Sequence, residues 1–178
     1  MHSDIQEILI SKEQIEKKAI ELGQQLNEAY AGKRPILLGL LKGSIPFMGD
    51  LMKSMDIPAQ IEFMDVSSYH GTESTGQVKI LKDVDTSVDG RHVLIVEDIV
   101  DTGHTLSKVI ALLKHRGALS VEVVTLLDKP EGRVVKMDAK YVGFTIPKAF
   151  VVGYGLDYDE LYRNLPYVGI LKEQVYMK

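Results

Sequence analysis

Glu97, Asp98 and Asp101 place three carboxylates within five positions, and Thr102, Gly103, His104 and Thr105 follow directly. Val93, Leu94, Ile95 and Val96 form an apolar run upstream. Downstream, Leu106, Val109, Ile110, Leu112 and Leu113 recur at a spacing that fits one helical face. The acids therefore fall where a strand hands over to a helix. The first amides of a helix lack partners within it and, with the helix dipole, form an anion site. Thr102, Gly103 and Thr105 suit a phosphate there. Three carboxylates would repel that phosphate unless a divalent cation or a hydroxyl-rich group stood between, and an oxygen-rich site favours Mg2+. A sugar phosphate with Mg2+ satisfies both halves of the segment. An acidic loop that caps the helix, with Asp101 or Thr102 at the N-cap, is the other reading, and the two can coexist.

Other well-known site signatures are missing. Lys42 precedes Gly43, so residues 39–44 lack the Gly-Lys-Ser ending of a triphosphate-binding loop. Residues 83–90 begin like a calcium loop but misplace its third acid and its glycine. The five histidines show no zinc spacing. With no cysteine, disulfides and thiolate chemistry are excluded. A net charge of -4 offers no general footprint for nucleic acid, which needs clustered Lys and Arg. The most apolar stretch, residues 36–41, stops at Lys42, far short of a membrane span. The expectation is a cytoplasmic protein with neither a nucleic-acid nor a membrane partner.

The elements that position these residues alternate. A chain of 178 residues, 45% hydrophobic, is most simply one domain with a substantial core. Ser11 and Gln14 form a capping-box pattern, and Ile15, Ala19, Leu22 and Leu26 then recur at helical spacing until Gly32. Pro35 introduces a strand over 36–41. Ser44 can cap a second helix with Pro46 in its first turn and Phe47, Leu51 and Met55 on one face. Strands are expected over 61–66, 78–81, 93–96 and 121–127, with a polar, glycine-containing run at 67–76. This order argues for a mostly parallel α/β sheet with ligands at the strands' carboxyl ends. Short strands over 141–145, 150–154 and 167–171, with little helix between them, are expected to form an added subdomain.

The segment Glu97 to Thr105 resembles the phosphoribosyl-diphosphate motif of the type I phosphoribosyltransferases. Leu41-Lys42-Gly43-Ser44, Ser68-Tyr69, Lys129-Pro130, and the run from Phe150 through Asp157 to Arg163 extend the resemblance to the hypoxanthine-guanine branch over nearly the whole length. The resemblance implies a core over about 30–130 and a small hood from the N-terminal segment and about 140–178. It implies transfer of 5-phosphoribose to a 6-oxopurine with Mg2+, in a homodimer or homotetramer. Glu97 and Asp98 would anchor ribose and metal, and Asp101 would be the general acid/base. Thr102, Gly103, His104 and Thr105 would hold the 5-phosphate, with His104 acting through its backbone amide. Leu41, Lys42, Gly43 and Arg163 would bind pyrophosphate, the family having a non-proline cis peptide at the first of these positions. Ser68 and Tyr69 would belong to a lid that excludes water. Lys129 would donate to the purine 6-oxo group, Phe150 would stack on the ring, and Val151 would present its backbone to the purine edge. Asp157 would serve the purine site and bind Mg2+. Asp159 and Glu160 fit an alternating-charge surface better. A regulator that senses phosphoribosyl diphosphate without catalysis, and a xanthine or pyrimidine transferase, are the alternatives.

Overall fold

In the computed structural model, which describes residues 1–68 and 78–177, Ser11 opens the first long helix. Its hydroxyl accepts from Gln14 N at 3.3 Å, while Gln14 Oε1 accepts from Ser11 N at 2.8 Å, the reciprocal capping box that the spacing predicts. Helix α1 (Lys12–Ala29) buries Ile15, Ala19, Leu22 and Leu26 along one face and packs against α2 (Ile45–Lys53). Ser44 precedes α2, but its hydroxyl makes no capping bond and is buried without a partner. The reason is local: Ser44 has helical rather than extended dihedrals, which point its side chain away from the amides a cap would satisfy.

Strand β2 (Ile36–Leu40) is buried at all five positions, as a strand covered on both faces must be. It runs parallel to β3 (Gln60–Ser68) on one side and β5 (His92–Val100) on the other. Beyond β5 lie β6 (Ser120–Asp128) and β7 (Tyr141–Thr145), still parallel, while β4 (Val78–Lys82) pairs antiparallel with β3. The sheet order is β4-β3-β2-β5-β6-β7. Alternate residues feed two cores. Leu37, Leu94 and Val124 pack with α1 and with Phe47, Met48 and Leu51 of α2. Ile36, Leu38, Val93 and Ile95 pack with Leu106, Val109 and Leu113 of α3 (His104–His115). Truncating a fully buried member such as Leu51 to Ala would cost about 2–5 kcal/mol. The mostly parallel α/β expectation holds.

Two placements differ from the sequence reading. Strand β5 continues past its apolar run, pairing Glu97 with Thr125 and Ile99 with Leu127, so Glu97 and Asp98 sit on the strand and only Asp101 lies in the turn. Long-range pairing with β6 sets that boundary, which local hydrophobicity cannot report. Tyr141–Thr145 joins the large sheet instead of the added subdomain. Residues 129–140 between β6 and β7 contain a short 3-10 turn, Pro130–Gly132, where parallel neighbours usually have a helix. Tyr141, nearly buried, earns its place by packing in the same core as Val124.

A second sheet combines both ends of the chain. β1 (Ile5–Ile10), β9 (Val168–Leu171) and β8 (Val151–Val152) are antiparallel in the order β1-β9-β8. A short helix, α4 (Glu173–Tyr176), follows β9.

Candidate active site

Helix α3 starts without a side-chain cap. Its N-cap is Gly103, in the left-handed region at φ +81°, so neither Asp101 nor Thr102 takes that position. A glycine relieves the crowding there, since a Cβ would stand 2.9 Å from Met137 Cγ. The carbonyl of Thr102 accepts from Val134 N at 3.0 Å and Val135 N at 3.3 Å, fixing the turn. The first helical bond runs from Ser107 N to Gly103 O; before it, His104 N makes a long bond to Thr102 Oγ1 at 3.5 Å, and amides of this first turn can meet an anion. A cleft of about 170 Å³ opens here, lined by Glu97, Ile99, Val100, Asp101, Thr102, Gly103, Thr105 and Leu106. His104 is exposed outside that lining.

Glu97 lines this cleft, and Asp98 follows it on β5. Burial holds Glu97 well above the usual carboxylate range, and the adjacent Asp98 charge adds to it. Burial also raises Asp98, opposed by hydrogen bonds from its own neighbourhood and by the Arg163 charge. Two adjacent, half-buried carboxylates favour protons, hydroxyl donors or a cation between them. Asp98 also limits what can stand beside it, because a Cβ on Gly43 would lie 1.7 Å from its Oδ2. The peptide bond from Leu41 to Lys42 is cis.

Asp101 is tied down by residues distant in sequence. Lys129 Nζ lies 2.7 Å from Asp101 Oδ2, and Arg133 Nη1 donates to the Asp101 carbonyl at 2.7 Å. Arg133 also pairs with Asp128. Gly132 gives the carboxylate room, since a Cβ there would fall 1.8 Å from Asp101 Oδ1. Arg133 and Gly132 escaped the sequence reading. Their only signal is closeness in sequence to Lys129.

Lys129 also lines a cleft of about 390 Å³ with Gln6, Lys148, Ala149, Phe150, Ile170, Leu171, Glu173 and Tyr176. Phe150 is 40% exposed. Tyr176 stacks against it with ring centroids 4.6 Å apart and planes 17° apart, and Tyr158 meets its edge at 5.7 Å. Val151 is buried in β8, paired with Ile170.

The remaining expected residues form a charged cluster. Arg163 Nη1 donates to Gly155 O at 2.7 Å, and Nη2 lies 3.1 Å from Asp157 Oδ1. Glu160 bridges to Arg163 and to Lys42. Gly155 packs so tightly on the Gly43 carbonyl that a Cβ would approach it to 2.0 Å, which joins this loop to the Leu41–Gly43 turn. Glu97, Asp98 and Asp157 do not come together as a cage: among the described residues no three His, Cys, Asp or Glu side chains are grouped to hold a metal. Asp157 instead accepts from Glu160 N at 3.0 Å and faces Arg163. Of the expected lid, Ser68 ends β3 opposite Val78, and Tyr69 lies outside the described residues. None of the described helices is long and apolar enough to cross a membrane.

Known proteins are similar to this chain along its length. Hypoxanthine-guanine phosphoribosyltransferase of Streptococcus pyogenes serotype M3 is 56% identical over 179 residues, covering 100% of this chain and 99% of that protein. The Bifunctional protein TilS/HprT of Listeria monocytogenes serotype 4b is 56% identical across 99% of this chain, which spans only 27% of that longer relative. The crystal structure of a hypoxanthine phosphoribosyltransferase from Staphylococcus aureus superposes with a TM-score of 0.96 at 55% identity, covering 99% of this chain and 96% of that one. The Phosphoribosyl transferase domain profile matches residues 6–159. With this match and full-length relatives at this identity, the chain belongs to the phosphoribosyltransferase family.

Proposed function

We propose that this chain is a purine salvage enzyme that transfers 5-phosphoribose from phosphoribosyl diphosphate to N9 of hypoxanthine and guanine, releasing pyrophosphate. One observation carries the reading: Lys129 reaches both the phosphate-cradle acid Asp101 and the cleft of Phe150. A ribose phosphate and a flat base would then meet at Lys129. Relatives named hypoxanthine-guanine phosphoribosyltransferase over their full length support the same reaction.

In this proposal the α3 amides and the hydroxyls of Thr102 and Thr105 hold the 5-phosphate, and Glu97 and Asp98 bind the ribose hydroxyls. Lys42 and Arg163 stabilise the charge growing on the departing pyrophosphate. Lys129 donates to the purine 6-oxo group and Phe150 stacks on the ring, a contact worth roughly 1–3 kcal/mol per base. Asp101 accepts or relays the purine proton as general acid/base. The large sheet, about residues 30–145 with β7 included, holds the ribose phosphate, while a hood from the N-terminal segment and about residues 146–178 covers the base.

The donor set fits Mg2+. Glu97 and Asp98 offer carboxylate oxygens whose charge is disfavoured by burial, whereas Asp157 is engaged by Arg163 and Glu160 N. Mg2+ binds through one or two carboxylates and takes its other oxygens from water and substrate phosphates, so no complete protein cage is needed. When bound it neutralises diphosphate charge. The reading includes a cytoplasmic homodimer or homotetramer. Ile45 and Met52 of α2 are exposed and available to a second copy.

Incubation with labelled phosphoribosyl diphosphate, Mg2+ and a panel of bases, with pyrophosphate release measured, tests this. Release with hypoxanthine and guanine supports the proposal. Release with xanthine or a pyrimidine alone would replace the substrate, and absence of release with every base would overturn the transferase reading.

A further inference from the structure

Glu160 is the charged side chain at this site to which the proposed reaction gives no task. Its carboxylate joins two cations from different parts of the chain: Oε2 accepts from Lys42 Nζ at 2.7 Å, and Oε1 accepts from Arg163 Nη2 at 3.3 Å. Lys42 precedes α2 while Glu160 and Arg163 lie in the loop before β9, so 118 residues separate the first pair. The turn that presents Glu160 is conformationally costly. Asp159, Glu160 and Tyr162 all have positive φ, at 52°, 61° and 75°, where side-chain-bearing residues are disfavoured. A hydrogen bond from Glu160 N to Asp157 Oδ2 and bridging between Tyr158 and Leu161 hold it there.

Folding stability does not account for the arrangement. Lys42 and Glu160 are 58% and 63% exposed, and ion pairs so open to water contribute little. What the carboxylate does achieve is to present two acceptor oxygens to two cations, as a diphosphate would.

We propose that Glu160 is an internal stand-in for the diphosphate, holding Lys42 and Arg163 in place until substrate or pyrophosphate arrives and then giving them up. This rests on the reading of Lys42 and Arg163 as pyrophosphate ligands. Competition from Glu160 lowers affinity for pyrophosphate and so hastens its departure after transfer.

The test titrates inorganic pyrophosphate, at fixed Mg2+, into the parent, Glu160→Gln and Lys42→Met proteins by calorimetry. Glu160→Gln is expected to bind pyrophosphate about 2- to 5-fold tighter, the range that release of one exposed ion pair allows. The gain should shrink at high salt, and KM for hypoxanthine should stay unchanged. Equal or weaker pyrophosphate binding by Glu160→Gln, with Lys42→Met weakened, overturns the stand-in role alone. Unaltered binding by Lys42→Met overturns the pyrophosphate reading and the proposal with it.

Discussion

Lys129 holds the end of β5 and the turn after it: its backbone N donates to Val100 O at 3.0 Å, and its Nζ lies 2.7 Å from Asp101 Oδ2. The backbone bond fixes where the lysine starts, and its side chain, 14% exposed, lies largely covered beside Asp101. In the proposed reaction, a 6-oxo group that draws Lys129 towards the base also releases the Asp101 carboxylate for the purine proton. Base selection and proton transfer are thereby linked through one lysine.

Asp101→Asn keeps the size of the side chain and the Arg133 contact to its carbonyl but removes the proton acceptor. Turnover should fall about 10²- to 10⁴-fold, the usual range for general acid/base catalysis, with KM for phosphoribosyl diphosphate little changed. Steady-state kinetics with hypoxanthine check this, and unchanged kcat would remove Asp101 from the chemistry.

Gly43→Ala tests the contact between the Leu41–Gly43 turn and the acidic pair. The added methyl would lie 1.7 Å from Asp98 Oδ2, so turn and carboxylate must separate. Overpacking of this kind costs about 1–3 kcal/mol. We expect KM for phosphoribosyl diphosphate to rise at least about tenfold, consistent with 1.4 kcal/mol per decade, while hypoxanthine stacking is spared. Unchanged KM would show that the turn does not position the diphosphate.

The legible part of the site is the part that is contiguous. Glu97 to Thr105 could be read because acids, hydroxyls and glycine occupy one strand-turn-helix, whose strand and helix each have their own hydrophobic period. Lys42 sits in a strand-to-helix turn that could hold a second phosphate, but Lys129, Phe150 and Arg163 carry no local signal, and only a resemblance spread along the chain picked them out. Gly132 beneath Asp101, Tyr176 on Phe150 and Glu160 between Lys42 and Arg163 depend on approaches between remote segments. Nothing in their own neighbourhoods announces those approaches. The same limit explains the fold: the parallel core follows from the alternation of apolar strands and amphipathic helices, whereas the placement of β7 depends on its pairing with β6.

Asp83 and Arg116 connect the chain after β4 to the end of α3 by two bonds, Nη1 to Oδ1 at 2.7 Å and Nη2 to Oδ2 at 2.6 Å. The guanidinium is the main cause holding the Asp83 carboxyl below its usual value. A carboxyl depressed in the folded state adds stability above its unfolded value, about 3.9, and loses that contribution as pH falls through the folded value. Asp83→Asn should therefore melt below the parent at neutral pH, by a small margin because the pair is partly exposed. The gap should close below about pH 4. Melting curves across that range decide it, and a gap independent of pH would contradict the ion-pair account.

The account depends most on Lys129 choosing the base. The direct measurement is kcat/KM for hypoxanthine against adenine, by pyrophosphate release, in the parent and in Lys129→Met. A site built to donate to an exocyclic oxygen rejects a base without one by a large factor, so the parent should prefer hypoxanthine by at least about 100-fold, and Lys129→Met should lose most of that preference. Comparable kcat/KM for the two bases in the parent would contradict it.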